Sequence, residues 1–438
     1  MQAISVRAPR TIGIGNNLGA WTMEAALRPM QWLTAVPSLL FLAALTAMLL
    51  RPPDVAFYEI DRVAFGLLVI GVASRAVVNR QRIFVIERAT WPMAGLLFLA
   101  LASVVLRPFD TETWCLLAAK YIVPFALFHL AGQVFTDEKQ IRQFEIFSLL
   151  VLAYLSFTAI AFLVGARSLI YPRFILDESL GFHAERARGP LLQAVTNGVA
   201  LNLLGLLALH SYRRKRGVKV AVLLASVPVA ILATMTRAVW MSFAGTLLAL
   251  MFLSKNRRLR RACAGLAIVG GIALAAVLSS SELAGALNDR VSESGPVDYR
   301  EAVYAGGWEM FLERPLMGWG FNRMPANLPR HVSGYSEKVL YPHNTYLELL
   351  VEQGVVGLAS YLWLMWELWQ LRRSAIPDGE KHGFLDRQFH LLWPVLLGVY
   401  WANALVVVMN YQFVNGLLFT VAGMLAAQRR RSQVAYSC

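Results

Sequence analysis

The chain has 438 residues, is 57% hydrophobic with a mean hydropathy of +0.52, and carries a formal net charge of +14. A water-soluble domain cannot bury so much apolar surface, so the composition excludes an ordinary soluble enzyme and predicts a polytopic, all-α membrane protein. The positive charge, which in a soluble domain would suggest a nucleic-acid partner, is read here through loop placement, and no nucleic acid is expected.

Residues 1–31 are polar and lack an apolar stretch followed by a cleavage site, so they are expected to form a cytoplasmic N-terminal segment with no removable signal. About twelve apolar stretches follow, each approaching the ~20 residues that cross a bilayer. Their cores lie at 32–50, 63–79, 91–106, 114–131, 146–165, 190–210, 218–233, 238–253 and 262–279, then 345–371, 389–408 and 412–428. Alternate connections hold Arg75 to Arg88, Arg213-Arg214-Lys215-Arg216, Lys255 to Arg261, Arg372 to Arg387, and the tail 429–438 with Arg429-Arg430-Arg431. The positive-inside bias places these connections and both termini in the cytoplasm. Cys115, Cys263 and Cys438 have neither disulfide nor metal spacing.

Two connections on the opposite, outer side are long. One spans about 166–189, with Arg167, Arg173, His183, Arg186 and Arg188; the other spans 280–345, with Arg290, Arg300, Arg314, Arg323, His331, Lys338 and His343. Loops of this length in compact proteins are usually functional or disordered, and the aromatic content of the larger one argues for order. Asp298–Glu313 reads as a helix with a stripe of Arg300, Tyr304, Trp308 and Phe311, ended by Arg314-Pro315 and a turn at Gly318-Trp319-Gly320. Arginine outside runs against the charge bias and calls for a partner. The open readings are an anionic headgroup or diphosphate, pairing with Asp177, Glu178, Glu185, Glu293 or Glu309, or contact with lipid phosphates. Arg186 and Arg188 stand at the threshold of a span and Arg237 lies in the tight turn Thr234–Arg237. Lys120, within the fourth span, either faces a cavity or snorkels.

The most informative stretch is Tyr341-Pro342-His343-Asn344-Thr345-Tyr346-Leu347-Glu348, continuing to Glu352 and Gly354. Thr345 and Glu348 have capping-box spacing, which predicts a helix start just after His343. A titratable imidazole then stands at the mouth of a membrane helix, either as a general base or as an interfacial hydrogen-bonding residue. Asn344 could hold a ring nitrogen or substrate, Glu348 reads as a cap, and Gly354 and Gly357 read as close helix packing. His183, His331 and His343 show no metal-ligand spacing, so no metal is expected.

The run His343-Asn344-x-Tyr346-Leu347-Glu348-x3-Glu352-x-Gly354-x2-Gly357-Leu358 resembles the signature of the O-antigen ligase and O-antigen polymerase superfamily. Arg300-x7-Trp308 with Arg314-Pro315-Leu316-Met317-Gly318-Trp319-Gly320 is similar to the pattern that precedes that histidine. Thr236-Arg237 stands where the family has Ser or Thr before Arg. The ten residues between His343 and Gly354, and the three between Arg188 and Leu192, fit the ligase branch. The resemblance covers roughly residues 186–360.

It implies an inner-membrane glycosyltransferase of GT-C-like architecture with a periplasmic active site. Such enzymes move O-antigen from undecaprenyl diphosphate to lipid A–core oligosaccharide, with no cofactor, metal or nucleotide sugar. On this reading His343 deprotonates an acceptor hydroxyl and attack inverts the anomeric centre. Arg188 and Arg300 hold the diphosphate, with Arg186, Arg237, Tyr341, Asn344, Lys120 and Glu348 assisting substrate binding. The rival readings are an O-antigen polymerase, an enzyme moving the same glycan onto protein, and a lipid-linked glycan transporter. The last is disfavoured because no inverted repeat with broken spans is evident.

Overall fold

The computed structural model describes residues 36–51, 59–80, 82, 84–281, 284–285, 288, 292, 295–334, 339–380 and 383–437. The N-terminal segment 1–31, Arg290, Glu293, Lys338 and Cys438 lie outside the described residues. Among those described, the regular structure is helical without strands. In chain order the helices are α1 (Pro37–Leu49), α2 (Ile60–Val78), α3 (Thr90–Val105), α4 (Thr111–Val134), α5 (Glu138–Leu163), α6 (Ala194–Lys215) and α7 (Val218–Ala233). There follow α8 (Arg237–Leu253), α9 (Arg257–Ser279), α10 (Gly295–Glu313), α11 (Thr345–Gln370), α12 (Arg387–Ala404) and α13 (Gln412–Ser437).

Every predicted apolar core falls on one of these helices, and α10 is the helix expected within the larger loop. Five stretches are long and apolar enough to cross a bilayer by length and composition: α4, α5, α6, α9 and Thr345–Arg373. Helices α1, α3, α7 and α8 are apolar but shorter. At 1.5 Å per residue, a helix of 16 residues such as α3 or α7 reaches only about 24 Å, short of a ~30 Å hydrocarbon core. At the C-terminal end α13 runs on to Ser437, so the arginines at 429–431 stand on its last turns. Arg429 and Arg430 pair with Glu87 at 3.2 Å, and Arg431 pairs with Glu380 at 2.8 Å.

Helix α6 is the axis of the bundle, with 94% of its apolar window buried, whereas only 17% of the α9 window is covered. α6 packs against α5, α7 and α12, and α9 rests on α7 and α8 at the periphery. α13 lies along the second half of α4. The backbones approach closely there: a Cβ on Gly423 would run into the Phe128 carbonyl, so glycine alone fits. A five-residue π-helical bulge, Ala118–Ile122, interrupts α4 and turns Lys120 inward, where it pairs with Glu348. The cavity-facing alternative for Lys120 is the one realised, with 7% of its side chain exposed.

Helix α10 forms where the spacing of Arg300, Tyr304, Trp308 and Phe311 predicted a helix, and its inward face is built mainly by smaller residues. Val303, Gly306, Gly307 and Met310 face inward with Met324 and Leu328, while Trp308 of the expected stripe is 51% exposed. Small residues at 306 and 307 permit that contact, since a Cβ at either would meet Val332 or Met324 and Leu347. Of the stripe, Tyr304 and Phe311 are half-buried against this same core, Arg300 faces a cleft, and Tyr304 also donates its hydroxyl to the Leu405 carbonyl at 3.1 Å.

Candidate active site

A cleft of about 270 Å³ opens where the amino end of α6, the turn between α7 and α8, the start of α10 and the residues before α11 meet. Its wall includes His183, Arg186, Arg237, Tyr299, Arg300 and His343, closed at one side by Val406 and Val407. Residues far apart in sequence are brought together by specific backbone bonds. Ala187 N–H donates to the Ala233 carbonyl at 3.3 Å, joining the loop that carries Arg186 to the turn that carries Arg237. Asn197 on α6 donates its side-chain amide to the Ala187 carbonyl at 2.9 Å and fixes the same loop from below. Met235 adopts a left-handed conformation (φ 47°), so that the chain reverses sharply and Arg237 becomes the first residue of α8.

His343 is itself left-handed (φ 47°), held between the buried Pro342 and Asn344. Such a conformation costs about 1–3 kcal/mol in a non-glycine residue and persists only where its surroundings enforce it. The enforcing contacts are visible. Tyr299 both donates its hydroxyl to the Tyr341 carbonyl (3.2 Å) and accepts from the Tyr341 N–H (3.1 Å). Its ring lies 6.0 Å from the His343 imidazole. On the other side, Asn344 caps α11 by accepting from Tyr346 and Leu347 N–H at 3.0 and 3.1 Å.

The expected capping box is therefore not formed. Thr345 is the first helical residue, and its hydroxyl links to the Val407 carbonyl (2.9 Å) and the Met409 N–H (3.0 Å). Glu348 turns away to Lys120. These exchanges matter for the cleft, because Thr345 anchors its Val406–Val407 wall. Among the described residues the His343 side chain makes no hydrogen bond. Burial, then the positive charges of Arg300 and His183, push its pKa down to about 4. The imidazole is thus neutral at physiological pH, with an acceptor nitrogen available to a ligand.

Of the arginines, Arg186, Arg237 and Arg300 line the cleft, and Arg186 also pairs with Glu185 at 3.2 Å. Arg188 does not join them. Its guanidinium is buried, with the residue 1% exposed, and donates to the carbonyls of Ile175 (3.0 Å), Leu180 and Asp177. It closes the loop 166–189 on itself, and burial lowers its pKa. Each of its three nitrogens donates to a main-chain oxygen, and Arg188 is not among the residues lining the cleft, where the sequence reading expected it on a diphosphate. Tyr341 offers its backbone to Tyr299 and packs its ring edge-on against Phe182, centroids 6.3 Å apart. Lys120 and Glu348 form a separate buried pair below, in a small cavity shared with Tyr361 and Tyr400.

Tyr299 and Gln193 were not singled out in the sequence, and both stand on the cleft wall. Tyr299 directly precedes Arg300, but nothing in one sequence distinguishes it from the other loop aromatics.

Gly354 has a role other than close packing. It lies inside α11 with φ 65° and ψ −166°, so the helix is broken there. The freed backbone groups are taken up by the segment 315–320. Trp319 and Gly320 N–H donate to the Val351 and Glu352 carbonyls (2.9 and 2.7 Å), and Val355 N–H donates to the Pro315 carbonyl (2.9 Å). A Cβ on Gly354 would collide with Leu316, and one on Gly318 with Glu352. The Arg-Pro-Leu-Met-Gly-Trp-Gly run and the His…Glu…Gly run are thus two halves of one splint that fixes the part of α11 before Gly354. Glu352 adds to it, with the N–H groups of Met324 (3.4 Å) and Asn322 directed at its carboxylate.

Among families of known proteins, the model described as O-antigen ligase matches residues 220–362, from α7 to about two thirds of the way along α11. That range contains Arg237, Arg300, His343 and both halves of the splint, and stops short of Arg186 and Arg188. No curated protein matches the chain.

Proposed function

We propose, from the match of residues 220–362 to the O-antigen ligase family, that the protein is an O-antigen ligase. It transfers polysaccharide from undecaprenyl diphosphate to lipid A–core oligosaccharide in lipopolysaccharide biosynthesis. The observation that carries this reading is the cleft in which a neutral imidazole, without a hydrogen bond among the described residues, faces three guanidinium groups. His343 accepts the proton of an acceptor sugar hydroxyl as that oxygen attacks the anomeric carbon. In-line attack inverts the centre and expels undecaprenyl diphosphate. Arg300, Arg237 and Arg186 neutralise the charge that builds on the departing diphosphate, a task that fixed cations perform without reorganisation. A cleft of 270 Å³ encloses the reacting groups and leaves both glycan chains outside it.

In this reading the chain crosses the inner membrane about twelve times in a GT-C-like arrangement. The cleft opens to the periplasm and both termini lie in the cytoplasm. The test is transfer by the purified protein in liposomes supplied with lipid-linked O-antigen and lipid A–core, with and without chelator. Product on lipid A–core, lost in His343→Ala but retained in chelator, supports the proposal. Elongated lipid-linked glycan as the only product makes the protein a polymerase. Full activity of His343→Ala removes the base.

A further inference from the structure

A second cavity, of about 500 Å³, lies at the opposite end of the α6–α7 hairpin. α6 has 22 residues and so separates the two sites by roughly 33 Å, about one membrane thickness. The rim is built from Arg213 and Arg216, where α6 ends, and Arg258 and Arg261, in the first turns of α9. Arg213 is engaged by Asp386. Arg216, Arg258 and Arg261 are exposed, make no ion pair among the described residues, and share a lining with no acidic side chain. Below the rim the wall is apolar, with Ala221, Leu224 and Ala225 on α7 facing Ala262, Leu266 and Val269 on α9. The gap exists because α9 is the least covered of the long apolar helices and because Gly265, with nothing within 4 Å of its Cβ position, leaves the wall open.

Three uncompensated guanidinium groups above an apolar slot between membrane helices form a two-part recognition surface. Phosphate oxygens pair with the fork of an arginine, while hydrocarbon covers the slot. A free phosphate would leave the slot empty, and an uncharged lipid would leave the arginines unpaired. We propose that this cavity binds one anionic phospholipid, its phosphate between Arg216, Arg258 and Arg261 and an acyl chain along the α7–α9 wall. Basic pockets between membrane helices on the cytoplasmic side recognise such headgroups. The bound lipid fills the gap beside α9 and holds the hairpin end against the bundle.

The experiment uses the full-length protein in neutral detergent. Native mass spectrometry counts retained lipids, and thermal unfolding follows added cardiolipin, phosphatidylglycerol, phosphatidylcholine or inorganic pyrophosphate. The expected result is retention of one anionic lipid, at least about tenfold preferred over phosphatidylcholine. Its stabilising shift should be absent with pyrophosphate. R258Q/R261Q removes the preference, and Gly265→Leu, which fills the slot and keeps every arginine, removes retention. Equal retention of phosphatidylcholine and cardiolipin overturns the proposal. So does an equal thermal shift with pyrophosphate, or unchanged binding in both variants.

Discussion

The two ends of the α6–α7 hairpin each carry a cluster of arginines, built in opposite ways. At the His343 end, Arg186 has only 11% of its side chain exposed and pairs with Glu185, and its loop is bonded to the turn that starts α8. At the other end, Arg216, Arg258 and Arg261 extend from helix ends into open space above an apolar slot. Charges held in place suit a reaction in which negative charge develops at one point, because no reorganisation is needed when it appears. Charges held loosely suit a mobile headgroup, whose position varies from one lipid to the next. The same residue type therefore performs different work according to how much of its freedom folding has removed.

The sharpest way to break this comparison is to remove His343. His343→Ala is expected to reduce the transfer rate by about 10²–10⁴-fold. The melting temperature should hardly move, since the side chain makes no hydrogen bond to lose. A large stability loss would make the histidine structural. Next comes Arg188→Ala, which removes the guanidinium donor from the carbonyls of Ile175, Leu180 and Asp177 and so the group that ties the loop 166–189 together. It is expected to destabilise the fold by about 3 kcal/mol or more, read by chemical or thermal unfolding. Arg300→Gln should instead leave stability within about 0.5 kcal/mol and lower kcat/KM. Reversal of that pattern would put Arg188 back at the substrate.

A subtler test uses pH. Burial, and after it the positive neighbours, favour the neutral imidazole, so the acid limb of kcat/KM should fall near pH 4, far below an ordinary histidine. Arg300→Gln removes one of those charges and should move the limb upward. A bound diphosphate favours the imidazolium, so the acid limb of kcat should lie above that of kcat/KM. A limb unmoved by Arg300→Gln separates the two residues. The smallest effect is expected from R258Q/R261Q. Transfer at saturating donor should stay within about twofold, because the rim lies a membrane thickness from the cleft.

The helices were legible because apolar runs near membrane length leave few alternatives, and each predicted core carries one. The position of His343 before a helix was legible for a similar local reason. What the chain does not announce is where side chains meet main-chain atoms. Arg188 is satisfied by carbonyls, which every residue possesses and no residue type marks. Asn344 and Thr345 are both good caps, and the choice between them rests on Val407 and Met409, sixty residues on. The buried face of α10 depends on two glycines that fit under Val332 and Met324, and hydropathy gives glycine little weight. Gly354 reads as packing from sequence, and only its partner segment at 315–320 reveals a break.

That break also insulates the cleft from the rest of the membrane. In an uninterrupted helix, inserting or deleting one residue below turns everything above by about 100°. Here the part of α11 before Gly354 takes its rotation from the 315–320 splint, so the part after Gly354 can lengthen, shorten or tilt without re-aiming His343. The fitting of the protein to its membrane and the aiming of its imidazole are thereby free to change separately.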